Sequence, residues 1–319
     1  MDTAYLRIIT IDIATDATYN YPKMKKLVSI VIPTFNEEES LPELIKQIEK
    51  NTNSLKIYNF EYVFVENASS DNSLKILLAA RKTNKKIKII QLAKNVGCDG
   101  AIVAGLHFIK GNAAIIMMAD LQDPPQVIPK FISYWEKGYD VVYAVIKRKE
   151  QMRFTRRIGT YLFYKFMSLL TDNMLPENVS DFRLIDKRVY AEIISLPEHN
   201  KFFRGLVSWL GFKQIGITVN RPRRFAGYSK ASFGLMFSLA ISSIYSFSYK
   251  PLRLSWIFFL ITGVLGFYYF FTDARSLGII SFFVSAIFLV LGIISEYLIK
   301  ILDEVRDRPQ FSLKETFGI

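Results

Sequence analysis

The chain is poor in the residues that make cross-links and soft-metal sites. Its 319 residues include one cysteine, Cys98, and two histidines. A single cysteine excludes an intrachain disulfide, and so small a supply of Cys and His argues against a zinc cluster. No internal repeat and no low-complexity segment is present, so the chain is read as ordinary folded sequence. Acidic residues are missing between Lys201 and Arg253, a stretch that holds Lys201, Arg204, Lys213, Arg221, Arg223, Arg224, Lys230, Lys250 and Arg253. The net charge of +12 is therefore concentrated beside apolar sequence. That placement favours anionic lipid headgroups or a phosphorylated lipid over nucleic acid, at about 1 kcal/mol per surface cation.

Charge of either sign is absent from Leu254 to Thr272 and again from Ser276 to Ser295. Each run has the length that a hydrocarbon core of ~30 Å demands of a helix. Two transmembrane helices are expected, at about 254–272 and 276–297, joined by Asp273, Ala274 and Arg275 as a hairpin. Lys250 and Arg253 precede the first run, and Lys300, Arg306 and Arg308 follow the second, which places both outer ends in the cytoplasm. The start of the chain shows no basic-then-apolar signal segment, in keeping with that expectation.

Half of the chain is apolar, enough for a substantial core. Leu27–Ile32, Glu61–Val65, Ile87–Leu92, Ala113–Met118 and Asp140–Val145 read as short strands. Between them lie helical patterns: Leu41, Leu44, Ile45 and Ile48; Leu74 to Leu78; the segment through His107; and about Gln126 to Lys137. The alternation predicts a doubly wound α/β domain with a mostly parallel sheet. The expected organisation is a tail over 1–23, a cytosolic domain over 24–232, an interfacial helix over 233–250, the two spans within 251–299, and a cytosolic tail over 300–319. Phe154–Leu170 reads as a helix with an aromatic face of Tyr161, Phe163, Tyr164 and Phe166, and Asp181–Asp186 as a loop feeding a short strand.

The run Ala113–Met118 ends in Ala119-Asp120-Leu121-Gln122-Asp123-Pro124-Pro125, where the prolines forbid continuation of strand or helix. Oxygen ligands are thereby presented at the carboxyl end of a buried strand, where open α/β sheets bind ligands, and Asp120 is taken as the anchor of an active site.

Val28 to Glu38, Val65 to Asp71, Lys94-Asn95-Val96-Gly97, Asp120 to Pro125 and Ser180-Asp181-Phe182-Arg183 occur in this order and spacing. Together they resemble the inverting GT-A glycosyltransferases of family 2, in the polyprenyl-phosphate glycosyltransferase branch that includes dolichyl-phosphate mannose synthase. Arg224 to Lys230, Lys250 to Arg253, the paired uncharged runs and Glu296-Tyr297 to Arg308-Pro309 resemble bacterial members of that branch, so the likeness covers residues 27 to about 310. It implies a GT-A, Rossmann-like fold. The activity it implies is inverting transfer of a hexose from a nucleotide sugar, UDP-glucose or a similar donor, to polyprenyl phosphate at the membrane.

The resemblance implies a nucleotide-sugar site of Pro33, Phe35, Asn36, Glu38, Glu66, Asn67, Ser69, Asp71, Asn95 and Asp120. An amide such as Asn67 suits a uracil-type edge, which offers one N–H between carbonyls. The family more often has Asp-Asp-Gly-Ser where this chain has Glu66-Asn67-Ala68-Ser69. Without the resemblance, the same loop reads as a cap for the following helix through Ser69 or Asp71. Mg2+ or Mn2+ is the implied cofactor, held by Asp120 and Gln122, with Met118 standing where the family's Asp-x-Asp has its first carboxylate. Asp123 is either a turn residue or a metal or sugar contact.

A phosphate acceptor is already ionised near neutral pH, its second pKa being about 6, so it needs no strong base. Asp181, with Asp120 the expected catalytic pair, then orients acceptor or sugar or stabilises charge at the anomeric centre; the alternative is a structural Asp181–Arg183 ion pair. Arg148, Arg183, Arg224, Ser229 and Lys230 are the expected phosphate and acceptor contacts, and Ile146 occupies the place of a family arginine for which Arg148 or Lys149 substitutes. Arg221 and Arg223 read as solvated or headgroup-facing charges. The aromatic spans and the interfacial segment offer surfaces for a homo-oligomer. Two other readings remain: a processive polysaccharide synthase, which would need further spans and a Gln-x-x-Arg-Trp motif that this chain lacks, and a catalytically silent membrane scaffold, resting on Met118 and Ile146.

Overall fold

Short runs of β-branched, aromatic and aliphatic residues form the strands, and Pro, Gly and Asn clusters separate them. A computed structural model of the protein describes residues 25–146, 179–198, 201–222, 276–305 and 309–319. In chain order the elements are β1 (Lys26–Thr34), α1 (Leu41–Asn53), β2 (Tyr58–Glu66), α2 (Ser73–Thr83), β3 (Ile87–Leu92), α3 (Gly97–Phe108) and β4 (Ala113–Ile116). A 3-10 turn (Pro125–Val127) leads into α4 (Ile128–Glu136) and β5 (Val141–Ile146). Then follow β6 (Val179–Asp186), α5 (Lys187–Ser195), α6 (Phe203–Trp209), β7 (Gln214–Val219), α7 (Ser276–Val305) and β8 (Leu313–Phe317). In α1, Pro42 occupies the first turn, where its missing N–H has no partner to lose, and Leu41, Leu44, Ile48 and Thr52 form the buried stripe.

The strands form one sheet in the order β7-β5-β6-β4-β1-β2-β3-β8. β1 pairs parallel with β2 and with β4, and β2 pairs parallel with β3. Strand order therefore reverses between β1 and β4, and a crevice opens at their carboxyl ends, the place where α/β sheets take ligands. β6 lies antiparallel between β4 and β5, with Arg183 opposite Ile116 and opposite Tyr143. The stretch expected as a loop feeding a short strand is thus a full strand. β1 shows why the sheet is buried on both faces: Val28, Ile30 and Ile32 join one apolar cluster and Val31 the opposite one. A buried carboxylate ties the amino half of the sheet. Glu61 accepts from Ser29 Oγ at 2.5 Å and from the Lys110 N–H at 3.2 Å, and pairs with Lys88.

The last residues, expected as a tail, include the strand β8, which closes the free edge of β3 antiparallel. The Ala93 N–H donates to the Ser312 carbonyl at 2.8 Å, and the Phe311 ring lies 5.5 Å from His107. Among the described residues no helix is long and apolar enough to cross a membrane. The paired-span expectation is therefore not borne out by the fold: 254–272 lies outside the described residues, as do the interfacial and aromatic helices, and 276–297 falls within α7.

Phe182 on β6 is fully buried, its ring 4.6 Å from that of Phe131. Replacing Phe182 by Ala is expected to remove about 3–5 kcal/mol of stability, read as a lowered thermal midpoint of the full chain in detergent micelles.

Candidate active site

Among the described residues, three other than glycine have positive φ, and each sits in a different loop at the carboxyl edge: Asn36 (φ 53) after β1, Ala68 (φ 56) after β2 and Leu121 (φ 59) after β4. Asn tolerates this region, but for Ala and Leu it costs about 1–2 kcal/mol, so the surrounding contacts must hold it. The first two loops are sewn together. Ser69 Oγ accepts from the Asn36 N–H at 3.0 Å, and Asn36 Oδ1 accepts from the Ser70 N–H at 2.8 Å. Asp71 accepts from the Glu38 N–H at 3.1 Å and from the Ser73 N–H at 2.9 Å. Glu38 accepts in turn from the Asn72 N–H at 2.9 Å. Asp71 thus ties the two loops and accepts from the first residue of α2, as the capping reading expects.

Asn67 requires a correction. Its amide nitrogen donates to Asn95 Oδ1 and to the Gly97 carbonyl, both at 3.0 Å, and its oxygen accepts from the Val96 N–H at 2.9 Å. Both donors are spent on the loop between β3 and α3, and the residue is buried. Asn67 therefore shapes the pocket rather than offering its donors to a base edge. Glu66 is buried beside it and accepts from the Ser69 N–H at 2.5 Å. Pro33 is buried at the end of β1, and Phe35 is half-buried next to it.

Past β4, Asp120 is buried and its Oδ1 accepts from the Gln122 N–H at 3.1 Å. Asp123 is more deeply buried, accepts from the Met118 N–H at 2.9 Å and lies 3.5 Å from Ser180 Oγ. Burial first, then the neighbouring charges of Asp120 and Asp181, push its pKa up to about 6 against the opposing Met118 N–H and Arg221. The Met118 N–H contact fits the turn role expected of Asp123. Among the described residues no group of three or more His, Cys, Asp and Glu converges as a metal-ligand set. What is present, the Asp120 carboxylate and the half-buried Gln122 on one turn, is a partial set of hard oxygen donors. Such a set suits Mg2+ or Mn2+ that keeps water and phosphate in its other positions.

Asp181, on the first turns of β6, meets the same crevice, because antiparallel β6 starts where β4 ends. Its partner is Arg204, which grips it at two points, Nε to Oδ1 at 2.9 Å and Nη2 to Oδ2 at 2.6 Å. The expected Asp181–Arg183 pair is looser, at 3.9 Å. Arg183 is fully buried, donates to the Ser180 carbonyl at 2.9 Å and lies 5.4 Å from the Phe203 ring centre; its Nε has no hydrogen-bond partner among the described residues. Burial pulls its pKa down to about 10. Burial would raise Asp181, but the charge and hydrogen bonds of Arg204 outweigh it and hold the carboxyl below its ordinary value. Asp99, in the first turn of α3, accepts from the Phe203 N–H at 3.3 Å; removal from water and the Asp181 charge push it up to about 7.

Arg221 also needs correction, since it reaches in to within 3.9 Å of Asp123 Oδ1 instead of facing headgroups. Arg204 and Asp99 were missed by sequence reasoning. The available signal was the acid-free stretch from Lys201, whose cations must find carboxylates elsewhere in the chain. Arg148, Arg224, Ser229 and Lys230 lie outside the described residues.

Asp99 and Asp181 act oppositely on stability. Asp99 is raised, so the folded chain binds its proton more tightly than the unfolded one, and stability falls as pH rises from about 4 towards about 7. Asp181 is lowered, so its contribution is present above the unfolded pKa and is lost as pH falls through the folded value. The Asp99→Asn variant should melt progressively higher than the parent as pH is raised from about 5 to about 8. A constant difference across a differential scanning fluorimetry series would contradict this.

The comparisons agree with this architecture. A model described as Glycosyl transferase family 2 matches residues 29–194. An uncharacterized glycosyltransferase of Bacillus subtilis (strain 168), YkcC, is 37% identical over 305 residues, covering 91% of this chain and 94% of that protein. A bactoprenol glucosyl transferase of Shigella phage SfII is 33% identical over 308 residues, covering 91% and 98%. Among solved structures, glucosyl-3-phosphoglycerate synthase from Mycobacterium tuberculosis, in complex with Mn2+, UDP and phosphoglyceric acid, has a TM-score of 0.51 at 12% identity, covering 69% of this chain and 76% of that one; it shows the shared GT-A-like fold. A crevice built at the strand-order reversal from Asp120 and Asp181, in a sequence related over nine-tenths of its length to these enzymes, makes the chain a glycosyltransferase that belongs to glycosyl transferase family 2.

Proposed function

We propose that the enzyme transfers glucose from UDP-glucose to a polyprenyl phosphate of the bactoprenol type, inverting the anomeric carbon, at the cytoplasmic face of a membrane. The observation that carries this reading is the placement of two carboxylates at one edge of the sheet, Asp120 after β4 and Asp181 near the start of antiparallel β6, both close enough to act on buried Asp123. Full-length similarity to a bactoprenol glucosyl transferase supports the acceptor class.

In this reading the nucleotide lies against the sewn loops after β1 and β2. Asp120 and Gln122 would hold Mg2+ or Mn2+, which would supply neutralising charge to the departing diphosphate. The acceptor phosphate is already an oxyanion, so one C–O bond forms as the other breaks, and no proton need be removed. Asp181, kept ionised by Arg204, faces the positive charge that develops at the anomeric centre. In-line displacement in one step gives inversion.

Membrane anchoring rests on the complete sequence. Read through every residue, Ser276–Ser295 is uncharged, and a helix rising 1.5 Å per residue over such a run is about 30 Å long. On α7, Ile280, Phe282, Ile287 and Leu291 are exposed, a surface suited to lipid. Only a few residues separate the end of α7 from β8, which pairs with the catalytic sheet. This supports placing the carboxyl end of the helix on the same side as the active site.

Membranes containing the full chain, given labelled UDP-glucose, Mg2+ and undecaprenyl phosphate, are expected to form a mild-acid-labile glycolipid. Asp120→Asn should lower the rate by about 10²-fold or more at normal protein level. A chain that yields no lipid product with any common UDP- or GDP-sugar is not the proposed enzyme. Polymer in the product would favour a processive synthase, and unchanged cellular glycan output from Asp120→Asn would favour a scaffold.

Topology has its own test. In a Cys98→Ser background of intact cells, Ala274→Cys is expected to react with an impermeant maleimide and Lys314→Cys only after the membrane is opened. The reverse pattern would reject the cytoplasmic placement.

A further inference from the structure

Asp181 has little intrinsic reason to be ionised or held in one orientation. It stands among the carboxylates of Asp99 on α3 and of Asp120 and Asp123 after β4; the cations facing the same space are Arg183 on β6, Arg204 on α6 and Arg221 after β7, with the Cys98 thiol on α3 and the Tyr143 phenol on β5 nearby. Of these cations only Arg204 makes a two-point contact, at 2.9 and 2.6 Å. Arg183 is committed to the Ser180 carbonyl and lies 3.9 Å from Asp181. Arg221 is directed to Asp123.

We propose that Arg204 is a positioning residue for glycosyl transfer, fixing the Asp181 carboxylate in one orientation through a two-point contact. A planar guanidinium matched to both carboxylate oxygens removes the rotation that a single contact leaves free. The fork is itself mounted firmly. Its neighbour Phe203 is fully buried, donates its N–H to Asp99 at 3.3 Å and packs against the Arg183 guanidinium. The contact joins β6 in the sheet to α6 on its face, so Asp181 is held from outside its own strand. A lysine in this place would supply charge at one point but no second bond.

This inference rests on the role given to Asp181 in the proposed function. The test is a double-mutant cycle on the full chain in micelles, with labelled UDP-glucose and undecaprenyl phosphate as substrates. Arg204→Met is expected to lower kcat on the order of 10²-fold, because small misplacements of reacting groups have effects of that size, with the KM for UDP-glucose within about threefold. The acid limb of its pH–rate profile should move to higher pH, because burial then acts on Asp181 against only the more distant charges of Arg183 and Arg221. Arg204→Lys should restore part of that limb and only part of kcat. In an Asp181→Asn background, Arg204→Met should change the rate by less than about twofold, since residues that act as a unit are not additive.

Additive losses would overturn the inference and leave the role of Asp181 standing. So would an Arg204→Met enzyme that melts like the parent and keeps an unmoved acid limb. If Asp181→Asn keeps full activity, the role of Asp181 falls and the inference with it. Should the Met variant fail to fold, the same cycle run with Arg204→Lys decides, a full kcat being the result that rejects the proposal.

Discussion

Coulombic crowding in a crevice poor in water is the constraint on which the site depends. Two unit charges about 4 Å apart interact by about 4 kcal/mol at an effective dielectric constant near 20, so carboxylates gathered here cannot all ionise unaided. The structure divides them by partner. Asp181, gripped by Arg204, is held below its ordinary value, whereas Asp99 and Asp123, held mainly by backbone N–H groups, rise to about 7 and about 6. Charge is thus kept on Asp181, and Asp99 and Asp123 carry smaller electrostatic demands.

The topology follows from the same need. Parallel strands deliver their carboxyl ends, and so Asn36, Glu66, Asn95 and Asp120, to one edge of the sheet. A parallel β6 would have put Asp181 at the opposite edge. Running antiparallel between β4 and β5, it starts where they end, and Arg183 stands opposite Ile116. The strained residues Ala68 and Leu121 belong to the same requirement. Left-handed backbone turns the chain sharply after β2 and β4, and the Glu66 and Asp123 carboxylates, accepting from the Ser69 and Met118 N–H groups, hold those turns closed.

The parallel half of the sheet was legible from sequence because each of its strands is a mostly apolar run close to Pro, Gly or Asn, and each helix carries its own period. β6 was not, because nothing local in Ser180-Asp181-Phe182-Arg183 says which strand it will join; that choice is made by pairing between distant segments. β8 was hidden for a like reason, since Leu313–Phe317 is short and half polar and becomes a strand only beside the open edge of β3. In the site, Asp120 and Asp181 were readable as residue types in a motif, but their partners were not. Arg204 and Arg221 sit in a segment whose composition suggested membrane contact, and the fold turned both inward. Asn67 misled in the opposite way, because an amide in a nucleotide loop invites a ligand role, while its three bonds close the loop itself.

Met118 is the last feature that the charge distribution explains. A carboxylate at this position would join Asp99, Asp120, Asp123 and Asp181, with Arg204 already committed to Asp181 and Arg221 directed to Asp123. A thioether adds no charge. Its sulfur instead lies 3.6 Å from Cys98 Sγ, while its backbone N–H serves Asp123. The residue therefore lowers the repulsion that opposes ionisation of Asp181, at the expense of one hard ligand near Asp120.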